Sequence, residues 1–445
     1  MSLSIKNAGQ FAINEITIVT KSGSFDITNL FIELNLYDSL FMPIMSGNIV
    51  ITDSLGLSSK FLFDGSEAIL IDIGKDGDSD IGRIKKAYRI YKQTNRINLN
   101  QNSESYILNF VSDELIYSDQ QKINQSYEAT YSEIVENILL NYLQVPKNQL
   151  KGIYEDSSGI RKVVIPNLSP LDAIEWCAKR ALDRETSPSY VFYKNLIGYN
   201  FVSLSTLLTK QAILDVKFSP QNLAGSNSIR DLSNARSFEV IMQSDSIDKI
   251  RSGVNAGKFI GFDPMTRTFA TRNVTYADHY SSIKHGNLNS TYSAIQNRDN
   301  KFNDTSYDAR KVLSFFGTAR KYSEYIKQND STSISKDENY ESYLFQRKAI
   351  LKNLTNKRIK VVMPGNFQLS SGFNVNFSAP VYAIKEKGDS NEDPSLSGKY
   401  LIVAARHVIG LNKHETIIEV ASSSTNNPYS IVSHPEQNKK LLNYI

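Results

Sequence analysis

The sequence predicts a mainly β fold with α+β insertions, arranged as two small antiparallel β-barrels, a mixed α/β domain and an inserted segment. The chain has 445 residues, and because single hydrophobic cores stop growing at roughly 250 to 300 residues, more than one core is expected. Hydrophobic residues make up 40% of the chain, and 24 Tyr stand against one Trp, which favours a globular chain rich in sheet. Runs with strand periodicity dominate both ends of the sequence.

The first barrel is predicted over residues 1–112. In Phe31–Tyr37, Ile32, Leu34 and Leu36 share one face, which is the period-2 pattern of a half-buried strand. Closing these strands into a barrel would remove the exposed edges of the sheet. The strand patterns are Ile13–Thr20, Phe31–Tyr37, Gly47–Thr52, Glu67–Ile73, Ile84–Lys92 and Ser105–Val111.

A mixed α/β domain is predicted over residues 113–210. Thr130 and Glu133 have the spacing of a capping box, and apolar residues at helical spacing follow until Pro146. Ser169-Pro170 predicts a second helix, with serine as the N-cap and proline at the first helical position. A hairpin is predicted from Tyr190–Tyr193 and Tyr199–Leu204.

The second barrel is predicted to be discontinuous, built from residues 211–280 and 357–421. Residues 281–356 are then an inserted segment, weakly periodic up to residue 340 and ending in a helix over Glu338–Leu354, and residues 422–445 form a tail. The strand patterns of this barrel are Ser237–Gln243, Gly257–Phe262, Thr268–Tyr276, Arg358–Met363, Gly372–Phe377, Lys399–His407 and Thr416–Ala421.

A hydrophobic loop between the second and third strand patterns is the candidate site for contact with a partner or a second subunit. It surrounds Pro43 and is too irregular for a strand and too apolar for an ordinary solvated loop. Two interpretations stay open at this point: the loop folds back over its own barrel, or it contacts another chain. Its apolar residues are Leu40, Phe41, Met42, Ile44 and Met45.

The sequence predicts no catalytic residue, no metal site and no cofactor. Asp76-Gly77-Asp78-Ser79-Asp80 begins like a calcium loop, but Ile81 stands where glycine is needed and Ala87 where a bidentate glutamate belongs. No Gly-x-Ser-x-Gly nucleophile elbow occurs. Cys177 lies on the apolar face of its predicted helix and is expected to be buried. None of the histidines is paired at metal-ligand spacing, and His407 is expected to be a core or rim residue with its hydrogen bonds satisfied. They are His279, His285, His407, His414 and His434.

The charge of the chain argues against a strong nucleic-acid interface, because a net charge of +4 is small for this length. One basic run on the first barrel is either a solvated face or a lining that meets DNA phosphates in transit or an acidic partner. A single cysteine and an N-terminus without an apolar core predict a protein made in a reducing cytoplasm. No apolar run approaches the roughly 20 residues of a membrane helix. The basic run is Lys85, Lys86, Arg89, Lys92 and Arg96.

Several segments resemble the central baseplate hub subunit of contractile-tailed bacteriophages, the myovirus tail hub protein. The resemblance implies tail-tube-like barrels and a homotrimeric ring with pseudo-sixfold geometry in the baseplate of the virion. It also implies four contacts: the hexameric tail tube protein, the trimeric cell-puncturing spike, other baseplate proteins, and DNA only in transit through the lumen. No enzymatic turnover is implied. The segments are residues 31–53, 165–181, 190–204, 362–366 and 396–407.

Two alternatives from outside this interpretation stay open. One is a tail-associated enzyme that degrades cell-wall polymer, since Asp and Glu are plentiful and the separation of paired carboxylates cannot be read from sequence. The other is the equivalent hub of a contractile injection machine that is not a phage.

Overall fold

The computed structural model describes residues 11–21, 23–60, 63–74, 83–146, 150, 154–184, 187–218, 233–243, 245–252, 254, 256–263, 268–275, 284–287, 289–290, 311–315, 340–382 and 392–425. The strands are β1 (Ala12–Thr20), β2 (Gly23–Asp26), β3 (Phe31–Ser39), β4 (Ser46–Asp53), β5 (Ala68–Gly74), β6 (Ile84–Asn100), β7 (Ser103–Val111), β8 (Ser126–Ala129), β9 (Arg161–Val164), β10 (Tyr190–Lys194), β11 (Tyr199–Ser203), β12 (Ala212–Phe218), β13 (Asn234–Ala235), β14 (Ser237–Met242), β15 (Ala256–Asp263), β16 (Thr268–Thr275), β17 (Asn289–Ser290), β18 (Lys311–Phe315), β19 (Lys357–Pro364), β20 (Asn374–Ser378), β21 (Gly398–Gly410), β22 (His414–Ser422) and β23 (Ser424–Thr425). The helices are α1 (Leu57–Lys60), α2 (Glu114–Asp119), α3 (Tyr131–Asn141), α4 (Pro170–Arg180), α5 (Leu204–Thr209), α6 (Ser246–Ser252) and α7 (Tyr340–Leu354).

The fold is mainly β, as predicted, and one fourteen-stranded sheet dominates the described part of the chain. This sheet contains two sets of seven strands. In spatial order the first set is β3-β4-β7-β6-β5-β1-β2, and the second set is β14-β19-β22-β21-β20-β12-β13. In the first five strands of each set, the relation between spatial order and chain order is the same: numbered along the chain, they lie in the spatial order 1-2-5-4-3. All neighbours among these five strands are antiparallel.

The two sets also share details of register. In the first set, β6 carries a bulge between Ile90 and Lys92 opposite β7; in the second set, β21 carries one between Ile402 and Ala404 opposite β22. The residue before each bulge donates its backbone N–H to the carbonyl of the residue that immediately precedes the neighbouring strand. Ile90 donates to Glu67, just before β5, and Ile402 donates to Phe373, just before β20. The sets differ at the sixth strand, because β1 is antiparallel to β5 whereas β12 is parallel to β20.

Each set curls round a core of its own, because the inward residues of its strands belong to one cluster. In each set, apolar side chains that point to the inner face of the strands are buried together in one cluster. The first core includes Ile16, Leu34, Ile49, Ile71, Tyr88 and Phe110. The second core includes Val216, Val361, Phe377, Tyr400, Ile402 and Val420.

A mixed α/β part lies between the two sets along the chain. The predicted capping box is present, since the Thr130 side chain accepts from the Glu133 N–H and the Glu133 carboxylate accepts from the Thr130 N–H. Ser169 caps α4, with Pro170 in its first turn. The predicted hairpin is β10–β11, which pairs from Tyr190↔Ser203 to Lys194↔Tyr199. Helices α3 and α4 pack on this hairpin round a third cluster that contains Ile134, Ile174 and Phe201.

The structure places two predicted strands of the second barrel elsewhere. Strands β15 and β16 form a separate three-stranded sheet with β18, which comes from the segment predicted to be an insertion. Alternation along a strand indicates which face is covered but not which sheet the strand joins, so the sequence pattern could not separate them. The helix of this segment, α7, begins at Tyr340 and ends at Leu354. The predicted domain boundaries as a whole stay a prediction.

Some sequence features lie outside the described residues: the calcium-like run at residues 76–80, His279, His434 and most of the predicted tail. None of the helices in the described ranges is both long enough and apolar enough to cross a membrane.

Candidate assembly surfaces

The hydrophobic loop at residues 40–45 is the turn between β3 and β4. Three of its apolar residues are buried and two are exposed. Leu40, Ile44 and Met45 are buried within the chain. Phe41 and Met42 are 46% and 50% exposed. The prediction that all five residues form a contact surface is therefore wrong for the three buried ones, because they are covered by this chain itself. Contact of Phe41 and Met42 with a partner stays a prediction.

The three buried residues anchor the loop in three different clusters. Met45 belongs to the first core. Ile44 belongs to the cluster of the mixed α/β part. Leu40 packs with residues of β10, α5 and α7, including Val191, Leu207 and Leu354, and its N–H donates to the Val403 carbonyl at 2.8 Å. Burying each side chain contributes about 1.5 to 3 kcal/mol, so this short turn holds three parts of the fold together.

The exposed tip of the loop stands between two surface depressions. One, of about 400 Å³, lies beside Met42 and is lined by Ala404, Ala405 and Ile417 together with charged residues. The other, of about 430 Å³, lies beside Phe41 and includes Met242 and Lys352. Within the described ranges, no group of three or more His, Cys, Asp or Glu side chains could hold a metal ion.

A strand junction joins the two sets within one chain. The first residues of β21 pair with β20 of its own set, from Gly398 to Leu401. The later residues pair antiparallel with β3 of the first set, from Ala404↔Ser39 to Gly410↔Glu33. Across this junction the Arg406 guanidinium donates to the Asn35 side-chain oxygen at 2.9 Å and lies 3.6 Å from the Glu33 carboxylate. One strand thus serves both sets.

A buried carboxylate lies beneath the same junction. The Ser370 hydroxyl donates to Asp38 at 2.5 Å, and the Ser371 N–H donates to it at 2.8 Å. Burial raises the pKa of Asp38 to about 6, although both serines and the charge of Lys86 act in the opposite direction. Burial also lowers the pKa of Lys86 to about 8, and the Lys86 ammonium donates to the Asn195 carbonyl at 3.3 Å.

A buried ion pair within the mixed α/β part joins α2 to β10, and the charges of both its members act on Lys86. The Lys194 ammonium donates to both carboxylate oxygens of Glu114 at 2.8 Å, and both side chains are nearly inaccessible. Burial alone would raise the pKa of Glu114, but the charge and hydrogen bonds of Lys194 lower it below its usual value. Lys194 also lies 4.7 Å from the ring centre of Tyr199. Each charge has a partner, so the arrangement is a structural joint.

Cys177 and His407 occupy core positions, as predicted. Burial raises the pKa of the Cys177 thiol to about 12, so the reactive thiolate is absent near neutral pH. His407 is buried, and burial lowers its pKa to about 4. Its Nδ1 lies 3.2 Å from the Thr416 hydroxyl, but its Nε2 has no hydrogen-bond partner among the described residues. The prediction that His407 is fully satisfied is therefore only half right.

The basic run on β6 is largely neutralised. Arg89 pairs with Asp113 at 2.9 Å, and Arg96 with Glu104 at 2.7 Å. Lys86 is half-buried and donates to the Asn195 carbonyl, and Lys85 lies 3.7 Å from Asp72. Lys92 is exposed. The run does not present a continuous free positive face, and a contact with DNA in transit stays a prediction.

Sequence analysis predicted two similar barrels but did not identify which strands of the two correspond. A weak signal for this correspondence exists, because Tyr88-Arg89-Ile90 and Tyr400-Leu401-Ile402 occupy equivalent places before the two bulges. Both tyrosines are buried in their cores. Two shared residues in three are too few to identify a repeat without the pairing of the strands.

No protein-family model matches the sequence, and no curated protein matches it. Solved structures do match. A tail protein from Neisseria meningitidis MC58 superposes with a TM-score of 0.50 at 9% identity, over 93% of this chain and 97% of that one. The 43 kDa tail protein of prophage MuSo2 from Shewanella oneidensis gives a TM-score of 0.48 at 11% identity, over 92% and 98% of the two chains.

A third similar structure is the E. coli c3393 protein, a component of a type VI secretion system described as structurally similar to the bacteriophage T4 tail proteins gp27 and gp5. It superposes with a TM-score of 0.41 at 9% identity, over 94% of this chain and 78% of that one. The structural neighbours are thus tail proteins and a secretion-system relative of them. At such low identity the similarity to the Neisseria protein establishes the fold.

Proposed function

We propose that this chain, whose fold is that of phage tail proteins, is a structural virion protein that forms the central hub of a tail baseplate. Three copies would form a ring that joins the hexameric tail tube to the trimeric cell-puncturing spike and lets DNA pass through its lumen. Its partners would be further copies of itself, the tail tube protein, the spike protein and other baseplate proteins.

The repeat of the two strand sets carries this proposal. Five strands of each set have the same spatial order, the same order along the chain and a bulge at the same place. Two similar units in one chain give three copies six similar units around one axis. Such a ring can meet a sixfold tube on one face and a threefold spike on the other, so the chain would convert one symmetry into the other.

The internal junction supports a ring over a loose association. Strands β3 and β21 join the two sets edge to edge through a paired ladder, which fixes the orientation of one set on the other. A fixed, directional contact between similar units is what a closed ring requires.

The mass of the purified protein in solution tests the proposal. Light scattering over a concentration series at low and moderate salt should give three times the mass of the chain, and projection images of that species should show sixfold features. A monomer at every concentration, unchanged when tube and spike proteins are added, would contradict the hub.

The loop tip offers a sharper test of tube or subunit contact. Replacing the exposed Phe41 and Met42 with aspartate should leave the chain folded, because neither side chain is buried, and should reduce ring formation or binding of the tail tube. The matched control is Leu411→Asp, which changes a similarly exposed apolar residue, 56% accessible, in the turn after β21. Equal behaviour of the two variants would remove the loop tip from the contact surface.

A further inference from the structure

The later half of β6 has an open side. Strand β6 pairs with β5 from Ile84 to Arg89, and beyond Arg89 it pairs only with β7 in the described part of the chain. Its equivalent, β21, has the same division but no open side, because its later half pairs with β3. The unpaired side of β6 therefore corresponds to the side of β21 that pairs with β3.

A second open edge is found on β14, the counterpart of β3. Strand β14 pairs with β19 alone among the described strands, whereas β3 pairs with both β4 and β21. Phe238 of β14 points into the second core, against Phe218 and Phe377, as Leu34 of β3 points into the first core. The two strands therefore have the same orientation in their sets.

Both open edges expose apolar side chains. Tyr91, Ile97 and Leu99 on β6 are 55–60% exposed, and Val240 and Ile241 on β14 are about 40% exposed. Unpaired edge strands are normally blunted by charge, proline or a covering element, since they invite pairing with another chain. Exposed apolar residues on two unpaired edges indicate that each edge is covered in the assembled protein.

We propose that β14 of one copy pairs antiparallel with residues 92–100 of β6 in the neighbouring copy, reproducing between chains the β3–β21 junction found within the chain. This inference rests on the proposed ring and names the surface that closes it. The same head-to-tail contact, used alternately within and between chains, generates a cyclic assembly.

The internal junction predicts the register of the contact between copies. When the two sets are aligned strand by strand, Tyr37 of β3 corresponds to Met242 of β14, and Arg406 of β21 corresponds to Thr94 of β6. Within the chain, Arg406 pairs with Tyr37. Thr94 should therefore lie opposite Met242 of the neighbour. By the same correspondence, Ile97 should lie opposite Glu239.

A matched irregularity in the two open strands supports this register. Relative to β3, strand β14 has one extra residue, between Val240 and Met242. Relative to β21, strand β6 also has one extra residue, between Thr94 and Ile97. In the proposed contact, the extra residue of β14 would lie opposite the extra residue of β6. The residue pairs before and after them would therefore keep the alignment of the β3–β21 junction. A partner of unrelated structure would have no reason to match this detail.

Engineered cysteines test the contact directly. Cys177 is the single native cysteine and is buried, so new surface cysteines should react alone. The double variant Thr94→Cys with Met242→Cys should give a covalent trimer under mild oxidation. A mixture of the two single variants should stop at covalent dimers, because each chain then has one new thiol. Thr94→Cys combined with Val164→Cys, on the exposed strand β9, should give no cross-linked ladder.

The outcomes separate this inference from the proposed ring. A trimer in light scattering whose double variant stays uncrosslinked would leave the ring intact and overturn the strand pairing. A monomer at every concentration, unchanged when tube and spike proteins are added, would overturn both. As a second measurement, Ile97→Lys with Leu99→Lys should weaken association by at least about tenfold, since two apolar contacts are lost, and Val164→Lys should have no effect. Unchanged association of the β6 variant, with an unchanged circular dichroism spectrum, would also count against the pairing.

Discussion

The equivalent turns of the two strand sets differ more than any other part of the repeat. Between β3 and β4 the chain makes the short turn of residues 40–45, whereas between β14 and β19 lie residues 243–356. The flanking strands nevertheless keep their order and register. Because hydrogen bonding between the strands determines their order and register, a turn between two strands can lengthen greatly without changing how those strands pair.

The short turn and the long insertion touch each other. Leu40 belongs to the same buried cluster as Ile350 and Leu354 of α7, near the end of the insertion. Phe41 lines a depression together with Met242, where the insertion begins, and Thr355, where it ends. The turn of the first set therefore contacts the insertion of the second set. The second set has no equivalent short turn, so the contacts made by residues 40–45 occur in the first set alone among the described residues.

The joints should be more sensitive to mutation than the repeated positions, and the largest effect is expected at the buried ion pair. Lys194→Ala leaves Glu114 buried without its partner and should lower the free energy of unfolding by about 3 to 5 kcal/mol. Urea denaturation measures this. Lys179→Ala, which breaks an exposed pair with Glu175, should cost less than about 1 kcal/mol. Similar losses in both variants would show that the buried pair is not a joint.

The turn itself should separate into anchored and free residues. Leu40→Ala creates a cavity among β10, α5 and α7 and should lower the free energy of unfolding by about 2 to 5 kcal/mol. Phe41→Ala, at the next residue along the chain, which is exposed, should change the free energy of unfolding by less than about 0.5 kcal/mol. Equal effects in denaturation would mean that the turn is not anchored through Leu40.

Asp38 should make the stability of this joint depend on pH. Its pKa rises from 3.8 to about 6 on folding, so the folded state holds the proton more tightly than the unfolded state. Its contribution to stability is therefore fully present below about pH 4 and is lost as the pH rises through 6, by on the order of 3 kcal/mol.

Denaturation of the wild type and of Asp38→Asn between pH 4 and 7 measures this contribution. The asparagine oxygen can accept from the Ser371 N–H and its amide can donate to the Ser370 hydroxyl, so the stability of the wild type relative to the variant should fall as the pH rises. A constant difference across that range would show that Asp38 titrates as it does in the unfolded chain.

The smallest effect is expected at a position that the two sets share. The Tyr400 hydroxyl donates to the Leu396 carbonyl at 2.6 Å, whereas the equivalent Tyr88 hydroxyl has no partner among the described residues. Tyr400→Phe should therefore cost about 1 kcal/mol, and Tyr88→Phe should be neutral or slightly stabilising. The midpoints of thermal unfolding of the two variants compare the sets directly, and a larger loss for Tyr88→Phe would break the expected order.

The sequence by itself determined the local elements of this protein. Alternation in Phe31–Tyr37 placed β3, the Thr130–Glu133 spacing placed the start of α3, and Ser169-Pro170 placed the start of α4, all close to their observed bounds. These features depend on neighbouring residues, whose side-chain periodicity and capping are written in a few consecutive positions. The apolar loop was also recognised as unusual from its composition alone.

Only the tertiary structure decided what those elements contact. Asp38 accepts a hydrogen bond from Ser370, which is 332 positions away, and β21 divides its ladder between β20 and β3. The burial of Leu40, Ile44 and Met45 follows from three clusters that meet at one turn. Periodicity records that a face is covered, but the identity of its cover depends on the packing free energy of the whole chain, which no local pattern contains.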